Sequence, residues 1–140
     1  ATQQRRALFA QVLRICRRRG HIVLLAGDAR TALRWHADGF HQRNRGKAKL
    51  LHSAPVHNAR EIADVKRCSP DLLFLSPLFS TNSHPGARPL GPLMFQRLAK
   101  LAKPKRVIAL GGMSRQSAQM LGPGTIHGWA AIDAFRKKTA

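Results

Sequence analysis

Three stretches of this chain, HIVLLAG from residue 21, DLLFLS at 71–76 and RVIAL at 106–110, are apolar at consecutive positions rather than at alternating ones. Each is of strand length. A strand with apolar side chains on both sides needs cover on both faces, and the arrangement that supplies it is a parallel sheet with helices packed against it. Parallel neighbours also need crossover connections, so helical segments are expected between the strands.

The rest of the sequence supplies them. Leu8, Val12, Leu13 and Cys16 are spaced for one face of a first helix, and Gly20 is placed to end it. A buried strand is expected over 21–26, followed by a short helix capped by Asp28 and running through Leu33. Further strands are expected at 37–41 and 49–54. Asn58 with Glu61 three residues later forms a capping-box pattern ahead of a helix that turns Ile62 and Val65 inward. After the strand at 71–76, Pro92 suits the first turn of a helix carrying Met94, Leu98 and Leu101, which Pro104 stops. The strand at 106–110 runs through Gly111 and Gly112 into a short helix over 115–121 capped by Ser114. Gly122 and Pro123 break that helix, and IHGWAAI forms a last strand before a final helix, DAFRKK. The expectation is a helix followed by six units of a strand and a helix or helix-like connection, an α/β fold made as one (β/α)-barrel domain over 1–140. A closed eight-stranded barrel takes at least about 200 residues. Six units therefore predict the C-terminal three-quarters of a longer barrel without its first two strands, or a homo-oligomer whose chains complete each other.

Composition narrows the function classes. The 140 residues include 25 Lys+Arg against 6 Asp+Glu, a formal charge of +19, which favours polyanions and steers phosphorylated ligands. The basic residues are scattered, apart from RRR at 17–19 and RKK at 136–138. Aromatics are 6% of the chain and no common nucleic-acid motif is present, so nucleic acid is not the expected main partner. No apolar run approaches membrane-span length. Cys16 and Cys68 lie far apart with no metal spacing, a pattern suited to two reduced thiols in a cytoplasmic protein.

Polar residues gather after the strands. Asp28 follows the first, His41, Gln42 and Asn44 the second, and Ser53 and His57 the third. Parallel α/β folds build their sites at strand C-termini. The long connection SPLFSTNSHPGARPLG after the fourth strand, with Ser76, Thr81, Ser83 and His84, is accordingly expected to be a substrate-binding loop. Gly111 and Gly112, leading into a helix N-terminus, together with the turn around Ile132 and Asp133, are candidates for a phosphate cup. A plain tight turn is the competing reading of the two glycines. His57 stands at a helix N-terminus, whose dipole favours a neutral imidazole able to act as a base. A histidine that simply helps to cap the helix is the other reading.

Taken in order, these stretches resemble the thiamine-phosphate synthase/TenI family, which has a TIM-barrel fold. ADGFH at 37–41 is similar to the family's A-D-G-V-H strand, and SAPVHN at 53–58 to G-x-S-x-H-S. SPLFSTNSHPGARPLG at 76–91 is similar to G-P-x-F-x-T-x-(T/S)-K-x-G-x-x-x-x-G. VIALGGMS matches V-x-A-I-G-G-I, and IHGWAAIDAF matches G-x-A-x-x-S-A-I. The resemblance runs from about residue 21 to 135, and the family's first two barrel strands have no counterpart.

The resemblance implies one of two reactions. In the synthase reaction a hydroxymethylpyrimidine diphosphate loses pyrophosphate and a thiazole phosphate nitrogen attacks the resulting carbocation, with Mg²⁺ and basic groups holding the pyrophosphate. Asp28 matches a metal aspartate of the family, but the Asn before it is Gly27, and no carboxylate stands at 42–46 where a second one falls. The loop lysine is His84, the Ser of G-x-S is Pro55, and the Ser of the last-strand turn is Asp133. In the TenI-type reaction a thiazole phosphate is aromatised by a proton shuttle at the histidine that matches His57, with no metal and no pyrophosphate clamp. The departures fall on the parts that only the synthase needs. The expected function is therefore a TenI-like tautomerase with His57, assisted by His84, as acid/base, without a cofactor. The synthase, with Mg²⁺, is the alternative, and a non-catalytic binder of a phosphate ligand or polyanion is a third. Asp28, His41, Ser76, Thr81 and Ser83 are expected to line the substrate, and Gly111, Gly112, Ile132 and Asp133 the phosphate.

Overall fold

The computed structural model describes residues 2–44, 49–81, 86, 88–132 and 134. Helix α1 spans Thr2–Arg18 and is followed by β1 (Leu24–Ala26), α2 (Ala29–Arg34), β2 (Gly39–His41) and β3 (Leu51–Val56). Then come α3 (Ala59–Lys66), β4 (Leu72–Leu75), α4 (Gly91–Ala102), β5 (Arg106–Ala109), α5 (Arg115–Gln119) and β6 (Gly128–Trp129). The six strands form one sheet in the order β1-β2-β3-β4-β5-β6, every pair parallel. Strands β1 and β6 are not paired with each other, so the sheet curls without closing. The expected final helix falls largely outside the described residues.

The register sorts the side chains into two faces. One row runs through Leu25, Phe40 and His52, and the rows beside it through Ala54, Leu73 and Val107 and through Val56, Leu75 and Ala109. All of these are buried. They pack against Ile62 and Val65 of α3 and Phe95, Leu98, Ala99 and Ala102 of α4, or, at the β1 end, against Ala29 and Ala32 of α2. The opposite face carries Leu24, Leu51, Pro55, Leu72, Phe74 and Ile108, each only partly buried. The strands were expected to be covered on both faces; the described helices cover one. The apolar residues of the second face are what the inside of a barrel contains, and in this open sheet they are only partly covered.

Two helices differ from the sequence expectation. In α4 the buried positions are Phe95, Leu98, Ala99 and Ala102, while Met94 and Leu101 are about half exposed. The apolar stripe is thus centred one position further along than Met94 and Leu101 suggest, because the alanines let the helix sit close to β4 and β5. In α1 only Leu13 is buried, and Leu8, Val12 and Ile15 are exposed. That helix lies at the β1 edge of the sheet, where Phe9 rests on Trp35 with ring centroids 5.6 Å apart, so it has a neighbour on one side only. The expected caps are present: Asp28 accepts from Thr31 N, Asn58 from Glu61 N, and Ser114 forms a capping box with Ser117.

Two aspartates fix the ends of the strands away from the C-terminal rim. Asp38 Oδ2 accepts from Val23 N at 2.8 Å, and Asp71 Oδ2 accepts from His52 N at 2.8 Å. Each carboxylate satisfies a backbone donor at the start of the neighbouring strand, which pins the register. The assignment of the core to Phe95 rather than Met94 has a direct consequence for stability. Phe95→Ala is expected to cost about 3–5 kcal/mol by cavity formation. Met94→Ala should stay within about 0.5 kcal/mol. Urea denaturation of the two variants checks both values.

Candidate active site at the strand C-termini

Because all six strands point the same way, the residues after them share one rim. The loop after β4 and the turn after β5 are built into each other there. Leu78 N donates to Leu110 O at 2.9 Å and Phe79 N donates to Gly111 O at 3.0 Å. Gly111 and Gly112 have φ of +94° and +60°. A Cβ on Gly111 would stand 2.7 Å from Pro77 Cα, and one on Gly112 would stand 2.5 Å from Ser80 O. The two glycines are therefore required by loop packing as well as by backbone conformation. Their carbonyl side holds the loop, whereas the amides of Gly111, Gly112 and Met113 have no acceptor among the described residues. Donors without a described acceptor, in a turn ahead of a capped helix, are an arrangement that can receive an anion.

His41 ends β2 on the inner face of the sheet. Its Nδ1 lies 2.8 Å from Ser53 Oγ, and its ring meets the Phe74 ring edge-on at 5.2 Å. Ser53 is wholly buried, and its Oγ also lies 3.4 Å from the Phe40 carbonyl. A hydroxyl proton turned to that carbonyl leaves Oγ to accept from His41 Nδ1–H, which assigns the lone pair of the ring to Nε2. Burial, aided by the neighbouring His52, pushes the His41 pKa below the usual imidazole value.

His57 stands exposed at the start of α3 with Nδ1 3.8 Å from Glu61 Oε2. The same oxygen accepts from His57 N at 2.8 Å and from Arg43 Nη2 at 2.9 Å. Glu61 was expected to reach back to the cap residue Asn58; it reaches one residue further, to His57. Its negative charge opposes the positive helix end at the imidazole, a partner that the helix dipole alone does not provide. Asp28 sits after β1, with Oδ1 accepting from Thr31 N at 2.9 Å and Oδ2 from Thr31 Oγ1 at 2.8 Å. The Thr31 backbone N–H, and then its hydroxyl, hold this exposed carboxyl below the ordinary aspartate value. Ser76 and Thr81 are half-buried in the β4 loop, and Ile132 is exposed after β6. Ser83, His84 and Asp133 lie outside the described residues.

The rim thus joins Ser53 to His41, Arg43 and Glu61 to His57, and the β4 loop to the glycine turn. A family described as thiamine monophosphate synthase matches residues 1–135. This chain belongs to the thiamine monophosphate synthase family. Among curated relatives, the thiamine-phosphate synthase of Geobacillus kaustophilus (strain HTA426) is 28% identical over 140 aligned positions, covering 92% of this chain. The chain spans 63% of that relative's length. Among solved structures, thiamine phosphate pyrophosphorylase from Pyrococcus furiosus superposes with a TM-score of 0.76 at 18% identity, covering 94% of this chain and 67% of that one. That likeness establishes the fold, a parallel α/β architecture of the thiamine monophosphate synthase barrel type.

Two contributors to the rim of this family member carry no sign of that role in the sequence, and a third, Ser53, shows only its place after a strand. Arg43 lies in the QRNRG stretch, where the family resemblance points only to an absent carboxylate, and Glu61 has the spacing of a helix cap. Ser53 becomes visible as a partner of His41 once the ends of ADGFH and KLLHS are set side by side in register. The Mg²⁺ that the synthase reaction implies can be tested against the donors present. Of six carboxylates in the sequence, five are described, and each is already engaged. Asp28 caps α2, Asp38 and Asp71 pin strands, Glu61 holds Arg43 and His57, and Asp64 pairs with Arg67. Among the described residues no three His, Cys, Asp or Glu are grouped so as to hold a metal ion. The described donors do not by themselves assemble a Mg²⁺ site; a Mg²⁺ held mainly by substrate phosphates needs only one or two carboxylates, and Asp28 is exposed on the rim.

Two outcomes follow for the rim. With its pKa depressed, His41 binds fewer protons folded than unfolded as pH falls below the ordinary imidazole value, so it contributes stability that is present above about pH 6.5 and lost below. His41→Gln should flatten the slope of stability against pH over that acidic range, as read by urea midpoints from pH 7 to 5. Gly112→Ala forces a methyl onto Ser80 O and should lower stability by at least about 1 kcal/mol. The same change should speed proteolysis within residues 76–90.

Proposed function

We propose that this chain binds a thiazole phosphate at the rim and acts as a TenI-like thiazole tautomerase, with His57 as the acid/base. The observation that carries this reading is the division of labour among polar groups. The amides of Gly111, Gly112 and Met113 have no acceptor among the described residues, while every described carboxylate already has a partner. A proton shuttle needs an anchored substrate and one group able to give and take a proton. His57, exposed and backed by Glu61, has the access and the charge partner for that task. His41, with Nε2 as acceptor, Ser76 and Thr81 lie on the same rim to contact the ring system. His84 and Asp133 are proposed to complete the loop side and the cup.

The synthase reading is supported by the names of the relatives. It requires a hydroxymethylpyrimidine diphosphate as second substrate, release of pyrophosphate, and Mg²⁺, for which the described donors do not by themselves assemble a site. The only partly covered inner row of Leu24, Leu51, Leu72, Phe74 and Ile108 supports a further proposal, that these six strands are part of a larger closed barrel.

A single product assay separates the readings. The chain is given the non-aromatic thiazole phosphate tautomer, the pyrimidine diphosphate and Mg²⁺, and products are identified by mass and ultraviolet absorbance. Aromatised thiazole phosphate is expected, with its rate lowered at least about 100-fold in His57→Ala and thiazole phosphate affinity retained. Thiamine phosphate as product would overturn the tautomerase reading in favour of the synthase. Binding without turnover would leave a phosphate-ligand binder.

A further inference from the structure

A second cationic feature lies away from the rim, between α1 and α2. A cavity of about 440 Å³ is lined there by Arg6, Arg14, Arg17, Arg18 and Arg34, with Phe9 and Trp35 among its walls. Arg17 and Arg18 end α1 just before β1, and Arg34 ends α2 just before β2. Most of this positive charge therefore sits on the outer side of the sheet toward its N-terminal edge, opposite the strand ends that carry His41, His57 and the glycine turn. Nothing in the rim chemistry uses it.

Five guanidiniums around one cavity repel one another, and among the described residues none of them has a carboxylate partner. The ion pairs present are Arg43 and His57 with Glu61, and Arg67 with Asp64. Arg17 is held in place by donating to the His36 carbonyl at 2.9 Å, which fixes a donor without neutralising it. An arginine cluster of this kind matches several phosphate oxygens at once, because each planar guanidinium bonds two of them. The cavity also has an aromatic wall, in a chain with only six Phe and two Trp. Phe9 and Trp35 meet at 5.6 Å with their planes tilted by 46°, and the Arg5 guanidinium lies over the Trp35 ring at 5.5 Å. The volume is that of a site for one compact organic molecule rather than a groove tracking a polymer. The exposed apolar residues of α1, Leu8, Val12 and Ile15, are not among its lining residues, so the cavity is not simply an uncovered hydrophobic face.

We propose that this α1–α2 cavity is a binding site for a nucleoside polyphosphate, with the phosphates on the arginines and the base against the Phe9–Trp35 wall. The site is separate from the rim and does not depend on which reaction the rim performs. It requires no metal, since the arginines themselves neutralise the phosphates.

The test uses the full chain carrying Trp129→Phe, which leaves Trp35 as its one tryptophan, titrated with ATP in EDTA at low salt. The expected result is a saturable one-to-one change in Trp35 fluorescence. Arg14→Glu should weaken it by at least about tenfold. Arg97→Glu, an equal charge change on the exposed surface of α4, should leave it within about twofold. Calorimetry on the unsubstituted chain gives the same affinity and stoichiometry should the tryptophan variant fail to fold. Equal weakening by Arg14→Glu and Arg97→Glu would overturn the site, leaving only the field of the net charge. Inorganic tripolyphosphate binding as tightly as ATP would overturn the role of the aromatic wall. A single-stranded oligonucleotide binding at least tenfold more tightly than ATP, with the same loss in Arg14→Glu, would overturn the compact ligand in favour of nucleic acid.

Discussion

Each strand of the sheet hydrogen-bonds its sequence neighbour in parallel, and from that pairing the placement of every functional group follows. Parallel neighbours require a return crossover, so helices must lie on the outer face. They cover the rows through Ala54, Leu73 and Val107 and through Val56, Leu75 and Ala109. The same pairing carries all six strand ends to one edge. His41, His57, the β4 loop and the glycine turn, separated by up to about 70 positions in the chain, become neighbours on a rim only because no strand is reversed. The two strand-pinning carboxylates, Asp38 and Asp71, act at the other end. There they pin the β1–β2 and β3–β4 pairs.

The shortage of acid groups decides what the rim can do. With 6 carboxylates against 25 basic residues, each acidic side chain has many potential partners, and the fold has used all five that are described. Asp28 shows this most plainly. Both of its oxygens accept from Thr31, so the residue that resembles a metal ligand of the family also closes the first turn of α2. Glu61 shows the complementary case, a helix-capping carboxylate whose second contacts orient Arg43 and His57. On the proposed reading, rim chemistry rests on imidazoles, hydroxyls and backbone amides, groups able to bind anions and move protons.

Much of the fold was legible because it is written in local patterns. Consecutive apolar runs marked the strands, Asp28, Asn58 and Ser114 marked helix starts, and Gly111 and Gly112 marked a turn. What local pattern cannot carry is a property of pairs. That the inner face would be only partly covered depends on where the sheet stops, which no single strand encodes. The stripe of α4 was misplaced because Ala99 and Ala102 bury as closely packing small residues, while Met94 and Leu101, more apolar by type, point to solvent. The site was legible in the same measure. Single residues at strand ends were found, but Ser53 behind His41 and Arg43 beside His57 are products of inter-strand register and of a contact 18 positions apart.

The two cationic regions then differ in kind, and the difference follows from the same shortage. At the rim, Arg43 is paired with Glu61, and the donors proposed to meet a phosphate at the glycine turn are uncharged amides of short reach and fixed geometry. Between α1 and α2 the donors are whole charges with no described carboxylate near them. A net charge of +19 also raises the free energy of the folded chain through self-repulsion. An anion that binds only the folded state lowers that free energy by mass action, and it gains most where the repulsion is most concentrated. A monophosphate and a polyphosphate would accordingly sort themselves between the two regions by charge. The rim would stay open to its substrate even with the outer cavity filled.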